Sequence, residues 1–379
     1  MVVILICGAS LRPRFRHGPV ACLPCLQGTI ALQDILRQCD PMQRNMVNLV
    51  ELTHVVDLLD RFAGRLTVDR ALRSAGLDRT MLDGVSGFIP YASEAVLVDS
   101  VARAIGDRHL GARLGQAFDY STYGAFSHFV LGAPDLASAF DRGRRALMFT
   151  HPGSEITLRE TETHLVVGRD SKGLSVVGHH HLDEGALFVI RRVARHFLGS
   201  DWTPDWVEVP ETNARELAVL ADLSGTKIRS GALVPGVAIR LSELATLNPG
   251  PPQPERTMSL GELGLLMNIA PTQTMEDAVV QMLTITSATG QTDERTIARL
   301  LAIGPRSLQR ALRTEGTTFR QVRSRVVSDR ARALLSETDM PLAEIGKLLG
   351  YADPRGFRRA FKDATGHAPS DFRKAAQTG

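Results

Sequence analysis

Arg355, Arg358, Arg359 and Lys362 stand close together near the end of the chain, and Arg306, Ser307, Gln309 and Arg310 form a second such group earlier. A guanidinium is a rigid donor fork that fits a guanine edge or a phosphate, and a glutamine amide pairs in the same bidentate way with adenine. Both groups therefore have the chemistry of double-stranded DNA recognition. No Ser-His-Asp, P-loop or HExxH arrangement supports an enzyme. Two other clusters invite a metal reading. Cys7, Cys22, Cys25 and Cys39 include a CxxC, which could be half a zinc site or a redox pair, but their gaps of 14, 2 and 13 residues carry scattered Pro and Gly. His179, His180 and His181 precede Asp183 and Glu184, yet successive residues on a helix point in different directions, so three adjacent imidazoles rarely share one ion. The expectation is a solvated helix start, with a polar wall of a pocket as the other use, and neither a metal nor a cofactor.

The elements that must position the cations can be read from periodicity. Leu342, Ile345, Leu348 and Leu349 recur at helical spacing after Pro341, and Gly350 stands where the chain leaves the helix. Asp353 then caps a second helix with Pro354 at its first position, and Phe357, Ala360 and Phe361 face inward, leaving the cations outward. Upstream, Thr296 to Leu301 reads as a short helix, Gly304 as the turn, and Pro305 as the start of a helix with Leu308, Ala311 and Leu312 inward. A helix from Thr318 to Leu335 joins the two pairs. Both pairs have the form of a helix-turn-helix, whose second helix enters a major groove.

Charge follows the same division. From Thr272 onward there are 17 Lys+Arg against 12 Asp+Glu, a net +5, while the rest carries a net −2. A basic C-terminal domain joined to a near-neutral larger one suits a DNA reader attached to a part that senses or dimerises. The spacing of Ile345, Gly350-Tyr351, Asp353, Phe357, Phe361-Lys362, Gly366, Pro369-Ser370 and Phe372-Arg373 resembles the signature of AraC/XylS-type transcriptional regulators. Gly346 departs from the family's usual Ala. The stretch from Ala298 to Leu312 resembles the family's first motif, with Ile303-Gly304 where a Ser is usual. The resemblance implies a sequence-specific regulator that binds promoter or operator DNA, with RNA polymerase as a further partner and a homodimer as one open arrangement. A zinc-binding DNA-repair module is fused to some such domains, so a repair or metal-sensing regulator using the N-terminal cysteines is the alternative, although the cysteine spacing departs from that module.

The remaining chain divides into residues 1–45, an irregular extension that is disordered or precedes the true start; 46–248; and 249–271, a linker and connecting helix containing four prolines between Asn248 and Glu255. Residues 272–379 complete it as the DNA-binding domain. In 46–248, Val50, His54, Leu58 and Phe62 mark a helix face, and Ala92 to Ile105 is helical. Leu114-Gly115 through Tyr123-Gly124 is a glycine-punctuated connection, Asp135 caps a helix, Ile156 to Val167 is a hairpin, and Asp183 to Leu198 is a long helix. Leu114-Gly115, Tyr123-Gly124-Ala125 and Leu131 to Leu136 resemble the arabinose-binding-type sensor domain of one AraC branch. The expected fold is an α+β sensor domain followed by an all-α domain with two helix-turn-helix motifs joined by a linker helix. Tyr120, Tyr123 and Phe126 beside Gly124 could line the pocket of a small-molecule effector or pack as plain core. No apolar run suits a membrane span and the N-terminus lacks the positive region of a secretory signal, so the cytoplasm is expected.

Overall fold

The computed structural model describes residues 45–82, 87–171, 173–250, 258–267, 274–286, 292–301, 303–351 and 353–378. The four cysteines, the extension before residue 45 and prolines 251, 252 and 254 of the linker lie outside them. Strand β1 (Met46–Asn48) leads into helix α1 (Leu49–Ala63), whose first turn is capped by Asn48 accepting from the Val50 N–H at 2.9 Å. Gly64, at φ 77°, turns the chain into α2 (Arg65–Ser74), after which β2 (Phe88–Pro90) pairs antiparallel with β1 and runs directly into α3 (Tyr91–Ile105). Helix α1 buries Leu52, Val55, Val56, Leu58 and Leu59, so of the expected face Leu58 lies inward, whereas Val50 and Phe62 are each 41 % exposed. The expected face is thus corrected at its two ends. A four-residue step rotates by about 40° beyond a full turn, so the stripe from Val50 to Phe62 winds away from the core.

Helix α4 (Leu110–Ala117) occupies ground where the sequence suggested only a connection. Its two inner glycines lie one turn apart against α7 (His179–Leu198). A Cβ at Gly111 would overlap the His181 carbonyl, and one at Gly115 would sit 2.7 Å from the Gly185 carbonyl oxygen. They mark a close helix contact rather than a break. Between these helices come α5 (Ala125–Leu131), the Asp135-capped α6 (Leu136–Ala146), and the antiparallel hairpin of β3 (Glu155–Glu160) and β4 (His164–Asp170). Helix α7 begins at His179, four residues before the expected start.

The sheet is completed by β5 (Trp206–Val209), α8 (Ala214–Ser224), β6 (Lys227–Ser230) and β7 (Gly236–Arg240), in the order β3-β4-β7-β5-β6. Among the described strands only β5 and β6 pair in parallel, with α8 as their crossover. The last two strands were not anticipated. Strand β7 is five residues long, yet it lies at the centre with Val237, Ala238 and Ile239 at 1 % exposure or less.

The C-terminal region is helical. Helix α9 (Leu260–Met267) precedes α10 (Met275–Thr286), where Thr274 Oγ1 accepts from the Asp277 N–H and the Asp277 carboxylate accepts from the Thr274 N–H, both at 3.0 Å. Then follow α11 (Glu294–Leu300), α12 (Pro305–Thr314), α13 (Phe319–Glu337), α14 (Leu342–Leu348), α15 (Pro354–Thr365) and α16 (Pro369–Thr378). Helix α11 starts two residues earlier than expected, because Asp293 caps it. The 19 residues of α13 span ~28 Å, with α11 and α12 before it and α14 to α16 after it. Val327, Ala331, Leu334 and Leu335 of α13 form one core with Ile345, Leu349, Phe357 and Phe361.

Candidate nucleic-acid interface and effector cavity

Helix α12 buries Leu308, Ala311 and Leu312 and turns Arg306, Gln309 and Arg310 to solvent, while Ser307 is half-buried. Helix α15 buries Phe357 at 1 % and Phe361 at 3 % exposure, half-buries Ala360, and exposes Arg355, Arg358, Arg359 and Lys362. Local chemistry fixes both starts. Pro305 and Pro354 occupy first-turn positions where a missing N–H costs nothing, and Asp353 accepts from the Arg355 N–H at 3.0 Å. Among the described residues none of the six cations is held in an ion pair with a carboxylate. Two helices thus each offer a cationic face backed by an apolar one.

The α14–α15 contact gives Gly346 a role that propensity alone hides. A Cβ there would lie 3.2 Å from Phe357 Cβ, so the glycine lets the two helices close on each other. Ala343, which is small enough to allow a similar approach, is exposed instead. Gly350 adopts φ 78° at the turn, and Tyr351 packs at 5.7 Å from the Phe357 ring.

A second feature lies inside the N-terminal region, where α1, α3, α4, α5, α6, α7 and the hairpin enclose a cavity with about 110 Å³ open to the centres of water-sized spheres. Tyr120, Tyr123 and Phe126 line it together, with ring centroids 5.4 Å apart for Tyr120–Tyr123 and for Tyr123–Phe126. Most other walls are aliphatic or aromatic. One end is not. Glu51, Tyr91, Glu94, His151 and Arg169 meet there, the Tyr123 hydroxyl donates to Glu51 at 2.5 Å, and His151 Nε2 lies 2.9 Å from the same carboxylate. The Arg169 guanidinium sits 4.4 Å over the Tyr91 ring.

This end holds its charges unevenly. Burial alone would raise the Glu51 carboxyl, but His151, Arg169 and the Tyr123 hydroxyl outweigh it and hold Glu51 below the usual range. Burial pushes the Glu94 carboxyl well above that range, and neighbouring Glu51 adds to the effect despite Arg169. The two acids are therefore pushed in opposite directions, and of the pair Glu94 is the one that holds a proton more readily. Burial and Arg169 also hold the His151 imidazole below its ordinary value, against the opposing pull of Glu51.

Of the two uses expected of the histidine cluster, His181 takes the pocket wall and not the solvated helix start, while His179 and His180 are half-buried. His181 is 2 % exposed, lines the cavity, accepts from the Gly111 N–H at 3.3 Å, and is pushed down to about 3 by burial and the neighbouring His180. Glu184 is buried with its Oε1 2.8 Å from His109 Nδ1, whose Nε2 is 2.9 Å from Glu216. Close approach of α4 to α7 is what draws these polar residues inside. The sequence reading missed Glu51, Glu94, His151 and Arg169. The one local signal was Arg169, which continues the inward register of Val167 on β4.

The arabinose-binding domain of AraC transcription regulators matches residues 66–246, and a helix-turn-helix domain matches 297–375. The chain is 27 % identical over 341 residues to the ornithine utilization regulator of Pseudomonas aeruginosa, covering 86 % of this chain and 97 % of that one. It is 33 % identical over 86 residues to the arabinose operon regulatory protein of Escherichia coli, covering 22 % of this chain and 30 % of that one. Compared with the crystal structure of the regulator CdpR from Pseudomonas aeruginosa, it gives a TM-score of 0.32 at 20 % identity, over 70 % of this chain and 86 % of that one. No described helix is long and apolar enough to cross a membrane. With an arabinose-binding-type N-terminal region followed by a helix-turn-helix region, the chain belongs to the AraC family of DNA-binding transcription regulators.

Proposed function

We propose that this protein is a sequence-specific regulator that reads one operator through two helix-turn-helix pairs, α11–α12 and α14–α15, under the control of a small molecule held in the N-terminal cavity. The observation that carries the reading is the pairing of two cationic helix faces with the ~28 Å helix α13 between the pairs, close to the ~34 Å repeat of a major groove. Arg306, Gln309, Arg310, Arg355, Arg358 and Arg359 are assigned to base edges and Lys362 to phosphate, with Ser307 a short-range contact at the helix start. Residues 46–248 sense, 249–271 connect and 272–379 read DNA. RNA polymerase contact and action as a homodimer belong to the same reading.

A route from cavity to reader supports the control. Tyr91 and Glu94 stand in the first turn of α3, directly after β2, and β2 packs against α10 at the head of the reader. Gly87 lies so close to Gln281 of α10 that a Cβ there would overlap the Gln281 amide. A ligand that shifts the start of α3 therefore bears on α10, and it controls DNA binding if it favours one of the two resulting arrangements.

The test is operator binding by the Arg310→Ala and Arg358→Ala variants. Each should lose about 1–3 kcal/mol of specific binding and relax base preference at positions about one helical turn apart. Losses uniform across all sequences would move both residues to phosphate contacts and remove the two-reader assignment.

A further inference from the structure

The polar end of the cavity carries three buried atoms for which the described residues supply no partner. Among the described residues Arg169 Nε and Nη2 and Glu94 Oε2 have no hydrogen-bond partner, although Arg169 is 8 % and Glu94 4 % exposed. Both side chains line the same cavity, and the Tyr91 ring beneath Arg169 constrains the guanidinium. Buried polar groups are nearly always satisfied in native proteins, so orphans gathered at one cavity mark the places where a ligand supplies the missing partners. Two adjacent N–H donors of a guanidinium fit a carboxylate. A carboxyl oxygen beside the ionised Glu51 fits an ammonium. The other walls, Val98, Leu114, Phe140 and Ile190 among them, suit a hydrocarbon portion.

We propose that the cavity takes a zwitterionic amino acid, its carboxylate on the Arg169 fork, its ammonium on Glu94, and its hydrocarbon portion against the apolar walls. The proposal rests on the reading of this cavity as the effector site. It also fixes a proton balance. The titratable groups that line the cavity with Glu94 are Glu51 from α1, Arg169 from β4, Tyr91 from its own helix, Tyr120, Tyr123 and His151 from the adjoining turns, and His181 from α7. In the free protein burial and Glu51 push the Glu94 carboxyl well above the usual range, so its protonated form is favoured there. An entering ammonium stabilises its carboxylate, so Glu94 passes its proton to solvent as the ion pair forms, and up to one proton is released per ligand.

Thermal-shift measurements on the full chain against L-α-amino acids and straight-chain ω-amino acids test this, with straight-chain monocarboxylates, alkylamines and pentoses beside them. The strongest binder is then titrated calorimetrically in phosphate and in Tris, which differ in protonation enthalpy. An amino acid should stabilise the chain, its deaminated and decarboxylated analogues should bind at least tenfold more weakly, by roughly the worth of one charge-assisted hydrogen bond, and the two buffers should report proton release. Glu94→Gln should fold normally, bind roughly tenfold to a hundredfold more weakly and release no proton. The proton count in the unmodified protein stands independently of that variant's folding. A monocarboxylate that binds as tightly as the amino acid, or binding without proton release, overturns the proposal. A pentose or other non-amino ligand that alone stabilises the chain and alters operator binding overturns it while leaving the effector reading intact. If no compound shifts melting or operator binding, both fall.

Discussion

Truncating Phe361 to alanine tests whether the second helix pair is held by its own small core. The ring is 3 % exposed, lies 6.0 Å from Phe357 and 5.6 Å edge-on from Phe372, and belongs to the cluster that joins α13, α14 and α15. Burying a phenylalanine stabilises by about 1.5–3 kcal/mol, and each aromatic pairing adds about 0.5–1.5 kcal/mol beyond area. Partial collapse of the vacated space brings the expected loss to about 3–5 kcal/mol. Hydrogen exchange followed by mass spectrometry on the full chain resolves this locally. Amides of α15 should exchange roughly a hundredfold to a thousandfold faster or more, since about 1.4 kcal/mol corresponds to a factor of ten. Amides of α11 and α12 should keep their protection, because these helices pack on α10 and on each other and not on that cluster. Footprinting should then show loss of one half-site and retention of the other. A change in α15 exchange of less than about tenfold would refute the packing argument, and equal acceleration in α12 would refute the separation of the two pairs.

Gly111→Ala places a methyl group on the His181 carbonyl, so α4 and α7 must separate; a loss of about 2 kcal/mol or more in urea denaturation is expected, and an unchanged midpoint would deny the close contact. His109 tests the buried polar cluster through pH. Its imidazole is raised above the ordinary value by the hydrogen bond to Glu184, against burial, with Glu216 adding to it. The stability it contributes is therefore fully present below the unfolded value of about 6.5 and is lost as pH rises through the raised folded value. The melting-temperature gap between the unmodified chain and His109→Gln should be largest on the acid side of about pH 6.5 and narrow above it. A gap that widens with pH would reverse the assignment.

The reader helices were legible because every signal for them is local. Asp353 and Pro354 start α15, Gly366 at φ 79° ends it, and the i, i+3, i+4 pattern of Phe357, Ala360 and Phe361 already separates a buried face from a cationic one. The same holds for α12, where Gly304, Pro305, Leu308 and Leu312 suffice. In the N-terminal region the local signals misled wherever the reason for a residue lay in a distant element. Gly111 and Gly115 suit a turn as well as a close helix contact until α7 is placed against them, and His181 looks solvated until α4 covers it. Strand β7 was too short to announce itself and owes its central place to its neighbours on both sides.

The sequence by itself determined the cationic helix faces, their caps and the hairpin, since each depends on residues within a few positions of one another. Tyr120, Tyr123 and Phe126 were also legible as an aromatic group, though not as cavity wall rather than core. Only the tertiary structure decided the polar end of the cavity. Glu51, Glu94, His151 and Arg169 come from four separate stretches of chain, and no local pattern says that a charged side chain will be buried. Their burial makes sense only once they face one another, because a buried charge is stabilised by its partners and not by its own sequence neighbours.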